Sequence, residues 1–270
     1  MNFLVLAFAN EKNILLSNLE KSLIKYEYNY KIIGEGKKWI NFMTKIQSCY
    51  DYLKSVKYDI ICIIDAYDVL ACDYADVLLR KFLRFKTDIV VGAENDCGDN
   101  CVPLDKYFEK NDRNERGRYQ YANGGFYIGY RLAILKMLRY ILDLEIGDDQ
   151  IGLGKYFNSH PNNLKLDTEG TLVSNVNIRS AYHDTYFVEN RVKNIKTNAY
   201  PCFVHTPSIQ FDFYRRMDYF GHHLLGKKYK KYDCVTKASN FYAKYKFKVI
   251  LFFIVFLILL IIFWYLIFCI

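Results

Sequence analysis

The stretch YDIICIIDAYDVLACD, residues 58–73, joins an apolar run to two aspartates, Asp65 and Asp68. The apolar residues are continuous rather than alternating with polar ones, which predicts a strand that is buried on both faces. A rigid strand that ends on two carboxylates suits a hard divalent cation such as Mg²⁺ or Mn²⁺, because these ions prefer oxygen ligands. The alternative interpretation is that one aspartate caps the following helix while the other is merely exposed.

The chain around this stretch alternates strand and helix patterns. The predicted strands are FLVLAFA (3–9), YKIIG (30–34), DIICIID (59–65) and DIVVGAE (88–94), and the predicted helices cover residues 11–26, 39–56 and 74–85. This alternation predicts an α/β fold in which helices cover both faces of a mostly parallel sheet. Ligands of such sheets bind beyond the carboxyl ends of the strands. We therefore expect the segments ANE, GEGKK and DAYD, at three strand ends, to line one crevice.

The second half of the sequence is less regular. Residues 95–120 are polar and rich in turn formers, which predicts a surface excursion. Residues 121–144 are predicted to form a glycine turn, a short strand and a helix, and the segment GDDQ (147–150) opens a further helix with two acids. A last strand, YPCFVH (200–205), ends on His205, which is either a structural histidine or a metal ligand.

The C-terminal residues 249–270 contain no charged side chain. Those positions would form a helix of roughly 33 Å, enough to cross a bilayer, so a membrane anchor is favoured over a buried core helix. We expect three parts: a globular domain (1–215), a basic juxtamembrane segment (216–248) and a transmembrane helix (249–270). The N-terminus lacks the features of a signal peptide. Basic residues that flank a membrane span stay on its cytosolic side. The expected topology is a single-pass C-terminal anchor with the domain in the cytosol.

The formal net charge of +8 is concentrated in front of the apolar segment. Eight lysines between positions 227 and 248 are interleaved with aromatic residues, a pattern that suits anionic lipid headgroups. A nucleic-acid partner is disfavoured, since Lys and Arg are not concentrated elsewhere. The eight cysteines lack paired CxxC spacing, which argues against a zinc site or a disulfide framework and favours free thiols in a reducing compartment.

Several short segments together resemble one known family. The segments LAFANE, GEGKKW, IIDAYDV, VGAE, NGGFYIGY, GDDQ and FVH occur in the order found in the glycosyltransferase domain of the procollagen lysyl hydroxylase and collagen glycosyltransferase family. The similarity covers most of residues 3–206 and does not include the oxygenase part of the animal enzymes. It implies a GT-A type, Rossmann-like domain. It also implies metal-dependent transfer of glucose or galactose from a UDP-sugar to a hydroxylated acceptor, such as hydroxylysine of a collagen-like protein.

The resemblance assigns the donor side of the site. Asp65, Asp68 and His205 would hold Mn²⁺ or Mg²⁺ against the phosphates of the UDP-sugar, where the ion acts as a Lewis acid on the leaving group. Tyr67 would stack on the uracil. The residues expected to assist it at the end of the first strand are Phe8, Ala9 and Asn10. Lys38 matches the family's lysine after the glycine turn, with Lys37 as the adjacent alternative.

The resemblance also assigns the sugar side. Asn123, Gly124 and Gly125 would form a turn that lets the backbone approach the donor sugar, although an ordinary hairpin turn is the alternative. Asp148 and Asp149 would hydrogen-bond sugar hydroxyls or help activate the acceptor; the alternative is that they are simply acids favoured at a helix N-terminus. Gln150 is a further expected donor contact. Weaker matches are Asp167 and Asn175.

The sequence departs from the family pattern after His205. The family is glycine-rich there, whereas this chain reads HTPSIQ, so its contacts to the phosphates are not carried over. The loop 95–120 is also particular to this chain, and with it the identity of the acceptor. Two other functions stay open: a glycosyltransferase of the same fold that acts on a glycan or glycolipid, and a catalytically silent membrane-anchored scaffold.

Overall fold

The structure is a computed structural model that describes residues 1–95, 102–110, 119–176, 184–207 and 211–230. Residues 1–230 form one compact unit. The expected transmembrane helix at 249–270 and most of the expected juxtamembrane segment lie outside the described residues. Within the described ranges, no helix combines the length and apolar character needed to cross a bilayer.

Eleven strands and seven α-helices are found in the described part of the chain. The strands are β1 (Phe3–Phe8), β2 (Tyr30–Ile33), β3 (Ile60–Asp65), β4 (Val69–Ala71), β5 (Ile89–Glu94), β6 (Tyr121–Tyr130), β7 (Leu164–Asp167), β8 (Val173–Asn175), β9 (Thr185–Val188), β10 (Arg191–Asn194) and β11 (Phe203–His205). The helices are α1 (Ile14–Lys25), α2 (Phe42–Ser55), α3 (Ala75–Arg84), α4 (Asp105–Lys110), α5 (Arg131–Asp143), α6 (Asp149–Ser159) and α7 (Phe211–Leu225).

Six strands form the central sheet in the order β2-β1-β3-β6-β5-β7. Strand β6 is antiparallel to both of its neighbours, and the other pairs are parallel. The prediction of a mainly parallel α/β sheet with flanking helices is therefore confirmed, and this architecture fits a GT-A fold. Phe8 of β1 pairs in register with Asp65 of β3, so both strands end at the same edge of the sheet.

The helices cover the sheet because each has one apolar face. Helices α2, α5 and α6 bury their apolar side chains in a cluster with the sheet, as Ile46, Met137 and Phe157 illustrate. Helix α1 lies against α7 and β4. Its N-terminus is capped by Asn13, whose side chain accepts a hydrogen bond from Leu16 N. Four cysteines in the described part of the chain are buried free thiols: Cys49, Cys62, Cys72 and Cys202.

Two expectations about local structure are wrong. Asn123, Gly124 and Gly125 do not form a turn but lie inside the ten-residue strand β6. The ladder between β5 and β6 shifts register between Val91 and Ala93, so the glycines sit at an irregularity in a continuous strand. Residues 95–120 are also not entirely a surface excursion, because α4 buries Tyr107 and Phe108 in the core.

A small second sheet, in the order β4-β11-β8, fixes the distal part of the chain to the end of β3. Strand β11 pairs antiparallel with β4, with His205 opposite Val69. It pairs parallel with β8, with His205 opposite Asn175. These two ladders place His205 beside the residue that follows Asp68.

Candidate functional site

Asp65, Asp68 and His205 form a compact cluster at the end of β3. One ligand atom of each residue lies within 4.8 Å of one from each of the others. His205 Nε2 is 3.2 Å from Asp68 Oδ2 and 4.0 Å from Asp65 Oδ2. The two carboxylates are half-buried and the imidazole is buried. The structure therefore brings together the three residues that the sequence predicts as metal ligands.

The orientation of His205 is set by its neighbours. Asn175 Oδ1 lies 2.7 Å from His205 Nδ1, and Asn175 Nδ2 donates to the Ala93 carbonyl at 2.9 Å. The amide thus fixes the imidazole so that Nε2 faces the carboxylates, as is usual for the outer partners of metal-binding histidines. Gly125 lies against the same ring, and a Cβ there would be 2.2 Å from His205 Cε1. A glycine is required at position 125 for the imidazole to occupy this place.

The cluster fits a divalent cation by its chemistry and by its unmet hydrogen bonds. Asp68 Oδ1 is shielded from solvent and makes no hydrogen bond with any residue that the structure describes. His205 Nε2 likewise lacks a hydrogen bond of normal geometry there. Burial alone would lower the pKa of His205, but Asp68 and Asp65 outweigh it and raise that pKa. A cluster of two carboxylates and one imidazole has the ligand atoms that a divalent cation binds.

A buried lysine that sequence reasoning missed connects this cluster to α6. Lys45 Nζ lies 2.8 Å from Asp65 Oδ1 and 2.5 Å from Asp149 Oδ2, and it donates to the Gly124 carbonyl at 3.3 Å. Burial alone would lower the pKa of Lys45, but the carboxylates of Asp149 and Asp65 outweigh it, so the pKa is raised. Lys45 therefore places a fixed positive charge between Asp65 and Asp149. No local sequence pattern reveals it, because its partners Asp65 and Asp149 come from β3 and α6.

Asp148 and Asp149 differ in their surroundings. Asp148 is the N-cap of α6, and its Oδ1 accepts from Gln150 N at 2.9 Å and Ile151 N at 3.1 Å. Asp149 is buried, and burial raises its pKa although Lys45 opposes that shift. Its carboxylate lies 3.1 Å from where a Cβ of Gly124 would be. Asp149 is thus the member of the pair that faces the cluster, through Lys45.

Glu94, at the end of β5, joins the remaining sugar-side residues. Its Oε1 accepts from Gln150 Nε2 at 2.9 Å and its Oε2 accepts from Asn123 Nδ2 at 3.2 Å. Asn123 Oδ1 in turn accepts from Gly125 N at 2.9 Å, and Gln150 Oε1 from Gly124 N at 3.4 Å. The structure therefore gathers Asn123, Gly124, Gly125 and Gln150 around one buried carboxylate that the sequence analysis did not single out.

The residues expected to hold the nucleotide lie at the ends of β1 and β3, next to Asp65. The hydroxyl of Tyr67 contacts Asn10 Oδ1 at 3.1 Å and the Glu11 carbonyl at 3.0 Å, which ties the turn after β3 to the end of β1. Phe8 and Ala9 are buried at that end. A cavity of about 360 Å³ opens from Ala9 along α1 and β2, but Asp65, Asp68 and His205 do not line it.

The loop between β2 and α2 carries the lysines that sequence analysis favoured. Lys38 is exposed in this loop. Lys37 Nζ donates to Ser48 Oγ at 3.0 Å. The lysine in contact with the carboxylates is instead Lys45. The same loop presents Trp39, 41 % exposed, whose ring packs against Phe8 at 5.7 Å and against Phe42 at 5.5 Å.

The two weaker sequence matches have distinct places. Asn175 supports His205 as described above. Asp167 is fully buried at the end of β7, where its carboxylate accepts from the backbone amides of Thr171, Leu172 and Val173 at 2.7, 2.6 and 3.0 Å. These bonds close the turn into β8, so Asp167 shapes the strand that carries Asn175.

Comparison with known proteins gives three findings. A family model described as "PLOD GT domain" matches residues 1–228. An uncharacterised protein, R699, of Acanthamoeba polyphaga mimivirus is 28% identical over 202 residues, which cover 69% of this chain and 41% of that protein. The chain thus spans about two fifths of the length of this curated relative. A glycosyltransferase involved in glycosylation of the major capsid of PBCV-1 aligns with a TM-score of 0.49 and 14% identity, over 81% of this chain and 100% of that one.

Proposed function

The chain belongs to the PLOD GT domain family and is a glycosyltransferase domain; from this premise we propose that it transfers glucose or galactose from a UDP-sugar to a hydroxylated acceptor in a metal-dependent reaction. The observation that carries the proposal is the cluster of Asp65, Asp68 and His205 with Lys45 behind it. The cluster combines two carboxylates from the end of β3 and the bend after it with a histidine from β11, which is distant in the sequence. A purely architectural role explains neither the hydrogen bonds left unmade nor the glycine opposite His205.

The three ligands would hold Mn²⁺ or Mg²⁺, which when bound neutralises charge on a departing nucleoside diphosphate. Lys45 holds Asp65 and Asp149 in place through its ion pairs, so both carboxylates are preorganised before a substrate arrives. Because Oδ1 of Asp65 is paired with Lys45, Oδ2 is the oxygen directed toward His205. The geometry of the site is thereby fixed by strands β3 and β11, by helices α2 and α6, and by the short bend between β3 and β4 that carries Asp68.

The donor would lie along the carboxyl edge of the sheet. Tyr67 and Asn10, with Phe8 and Ala9 behind them, would receive the base of the nucleotide. On the sugar side, the support consists of the Glu94 network: Asn123, Gly124, Gly125 and Gln150. Asp149 is favoured over Asp148 as the carboxylate that contacts the transferred sugar or the acceptor, because Asp148 is occupied with capping α6.

The acceptor is proposed from family membership: a hydroxylated side chain such as hydroxylysine of a collagen-like protein. A glycan or glycolipid acceptor is the second candidate, and the apolar segment 249–270 of the sequence favours it because that segment would keep the enzyme at a membrane. Screening collagen-like peptides against soluble glycans and glycolipids separates the two acceptor classes.

The test of the proposal is UDP binding by calorimetry with the full chain, with Mn²⁺ and then with a chelator, followed by hydrolysis of a panel of UDP-sugars. We expect binding only with the metal and one preferred sugar. Asp65→Asn should abolish both, whereas Asp76→Asn, which changes an exposed ion-paired aspartate of α3, should change neither. A folded chain without metal-dependent UDP binding would favour the silent scaffold.

The location of the protein is a proposal as well. Residues 249–270 are proposed to anchor the chain in a membrane as a single span, with the transferase domain in the cytosol. Protease protection on sealed membranes tests this topology: the domain should be digested without detergent. Protection of the domain would reverse the orientation and would make a secreted, collagen-like acceptor accessible.

A further inference from the structure

The chain leaves its globular unit at a fixed point on α1. After α7 the backbone turns at Gly226 and returns, and the ring of Tyr229 packs on Gly221, where a Cβ would be 2.2 Å from Tyr229 Cε2. The hydroxyl of Tyr229 donates to Asp218 on α7. Asn18, which is buried on α1, then binds the backbone of Lys230 from both sides, at 3.0 Å to its carbonyl and 3.4 Å from its amide. The place at which the chain continues toward residue 231 is therefore set by side-chain packing.

Five lysines surround this exit, and we call them the basic face: Lys21, Lys25, Lys227, Lys228 and Lys230. All except Lys21 are exposed, and Lys21 is half-buried. Lys21 Nζ is shielded from solvent and makes no hydrogen bond with any described residue, whereas Lys25 Nζ donates to the carbonyl of Leu224 rather than to a carboxylate. Positive charge is thus gathered here without an acidic side chain bound to either α1 lysine.

Burial and the mutual repulsion of the lysines of the basic face lower the pKa of two of them. Burial lowers the pKa of Lys21 and Lys230 lowers it further; burial also lowers the pKa of Lys25, with a contribution from Lys228. Glu20, the acid within α1, lies toward Lys12 and Tyr30 instead. Next to the basic face, Ile24 exposes 63% of its surface. Repelling cations around an exposed apolar side chain are stabilised by an anionic surface with an apolar interior.

We propose that the basic face rests on an anionic phospholipid membrane. Charge complementarity supports this occupant, and so does the sequence beyond the exit, where further lysines precede the apolar segment 249–270. The inference goes beyond the proposed transferase activity and does not rest on it. It assigns Lys25 of α1, within the globular unit, to the membrane contact.

The proposal also orients the candidate site. The N-terminal end of α1 lies at the site edge of the sheet, where Glu11 N contacts the hydroxyl of Tyr67 at 3.1 Å. Lys21 and Lys25 lie near the other end of this helix, which extends for about 18 Å. The basic face is therefore at the opposite edge from Asp65, so a membrane bound there leaves the cluster directed away from the bilayer.

Lysine acetylation followed by mass spectrometry tests this contact in the full chain. The protein is mixed with vesicles of phosphatidylcholine, with or without phosphatidylserine. On the anionic vesicles, we expect the four exposed lysines of the basic face, Lys25, Lys227, Lys228 and Lys230, to be acetylated about threefold more slowly than on the neutral ones, because the lipid phosphates and carboxylates cover their ammonium groups. Exposed Lys136 and Lys155, on α5 and α6, are internal controls whose rates should not change.

A variant pair sharpens the test. Lys227→Gln/Lys228→Gln leaves α1 and its contacts intact, and it should remove most of the protection of Lys25. The matched Lys136→Gln/Lys155→Gln variant should keep that protection. Equal acetylation of the basic face on both vesicle types, or failure to associate with either, overturns the proposal. Equal protection by single-stranded RNA without vesicles overturns the assignment to lipid.

Discussion

The region around Asp149 and the turn around Asp167 both bury an aspartate, but they satisfy its charge in different ways. Asp167 is held by three backbone amides, which are part of the turn and cannot move away without unfolding it. Asp149 is held by the ammonium of Lys45, which it shares with Asp65. Burial raises the pKa of both carboxyl groups. A backbone cage fixes a fold, whereas a shared side-chain cation leaves carboxylate oxygens available to a ligand.

The largest effect should come from the metal cluster itself. Asp68→Asn removes one charged ligand of the metal, while the protein should stay folded. We expect the turnover of the UDP-sugar to fall about 1,000-fold, because a weakly held metal ion no longer stabilises the negative charge on the departing UDP. Turnover with Mn²⁺ and the melting temperature by circular dichroism measure the two effects. Asp76→Asn is the control. Normal turnover by Asp68→Asn would contradict the assignment of the cluster.

A smaller effect is expected at the shared cation. Asp149→Asn leaves Lys45 paired with Asp65 alone, and turnover should fall about 100-fold because a carboxylate near the sugar is lost. Asp143→Asn, which changes an exposed aspartate paired with Arg139, is the matched control. If Asp149→Asn loses stability but keeps full turnover, the region around Asp149 is as architectural as the turn around Asp167.

The partner of His205 should have a smaller effect again. Asn175→Ala frees the imidazole to rotate, and we expect the affinity for Mn²⁺ to fall about tenfold. The electron paramagnetic resonance signal of free Mn²⁺ measures this affinity. Asn158→Ala is the control, since its amide also donates to a backbone carbonyl, that of Pro103, away from the cluster. Unchanged Mn²⁺ affinity in Asn175→Ala would mean that packing against Gly125 alone orients the ring.

The smallest effect on turnover is expected at Asp167. Asp167→Ala leaves three backbone amides without their acceptor, so the free energy of unfolding should fall by about 3 kcal/mol. Turnover per folded molecule should stay within about twofold, because the hydrogen bonds described for Asp167 go to backbone amides of its own turn and none joins it to the cluster residues. Urea unfolding and turnover measured on the same preparation test both statements. A strong loss of turnover without loss of stability would erase the contrast with Asp149.

The sequence predicts the parallel core of the fold because strands such as β3 are continuous apolar runs that end abruptly in polar residues. The same logic identifies Asp65 and Asp68, since Asp65 is the last residue of β3 and Asp68 lies in the bend that follows this strand. His205 is found through the resemblance, and the pairing of β11 with β4 supplies its contact with Asp68. That pairing joins residues more than 130 positions apart, and no local pattern encodes it.

Two features could not be predicted, and both depend on tertiary contacts. Gly124 and Gly125 suggest a turn in isolation, yet in β6 the absent Cβ at Gly125 gives the His205 ring its place. Lys45 looks like a solvated position of an amphipathic helix, because lysine is rarely buried without a partner. Its partners, Asp65 and Asp149, come from β3 and α6. The order of the strands in the sheet, and not a local pattern, brings Asp65 and Asp149 together at Lys45.

Trp39 gives the protein an optical property of its own. The sequence contains two tryptophans, and the second, Trp264, lies in the apolar segment. In a Trp264→Phe chain, all indole emission would therefore come from Trp39, half-exposed on the loop between β2 and α2, with its ring tilted against Phe8 and edge-on to Phe42. Its emission wavelength and lifetime would report on the polarity around Phe8 and Phe42 without any attached dye, so native fluorescence can follow that loop in real time.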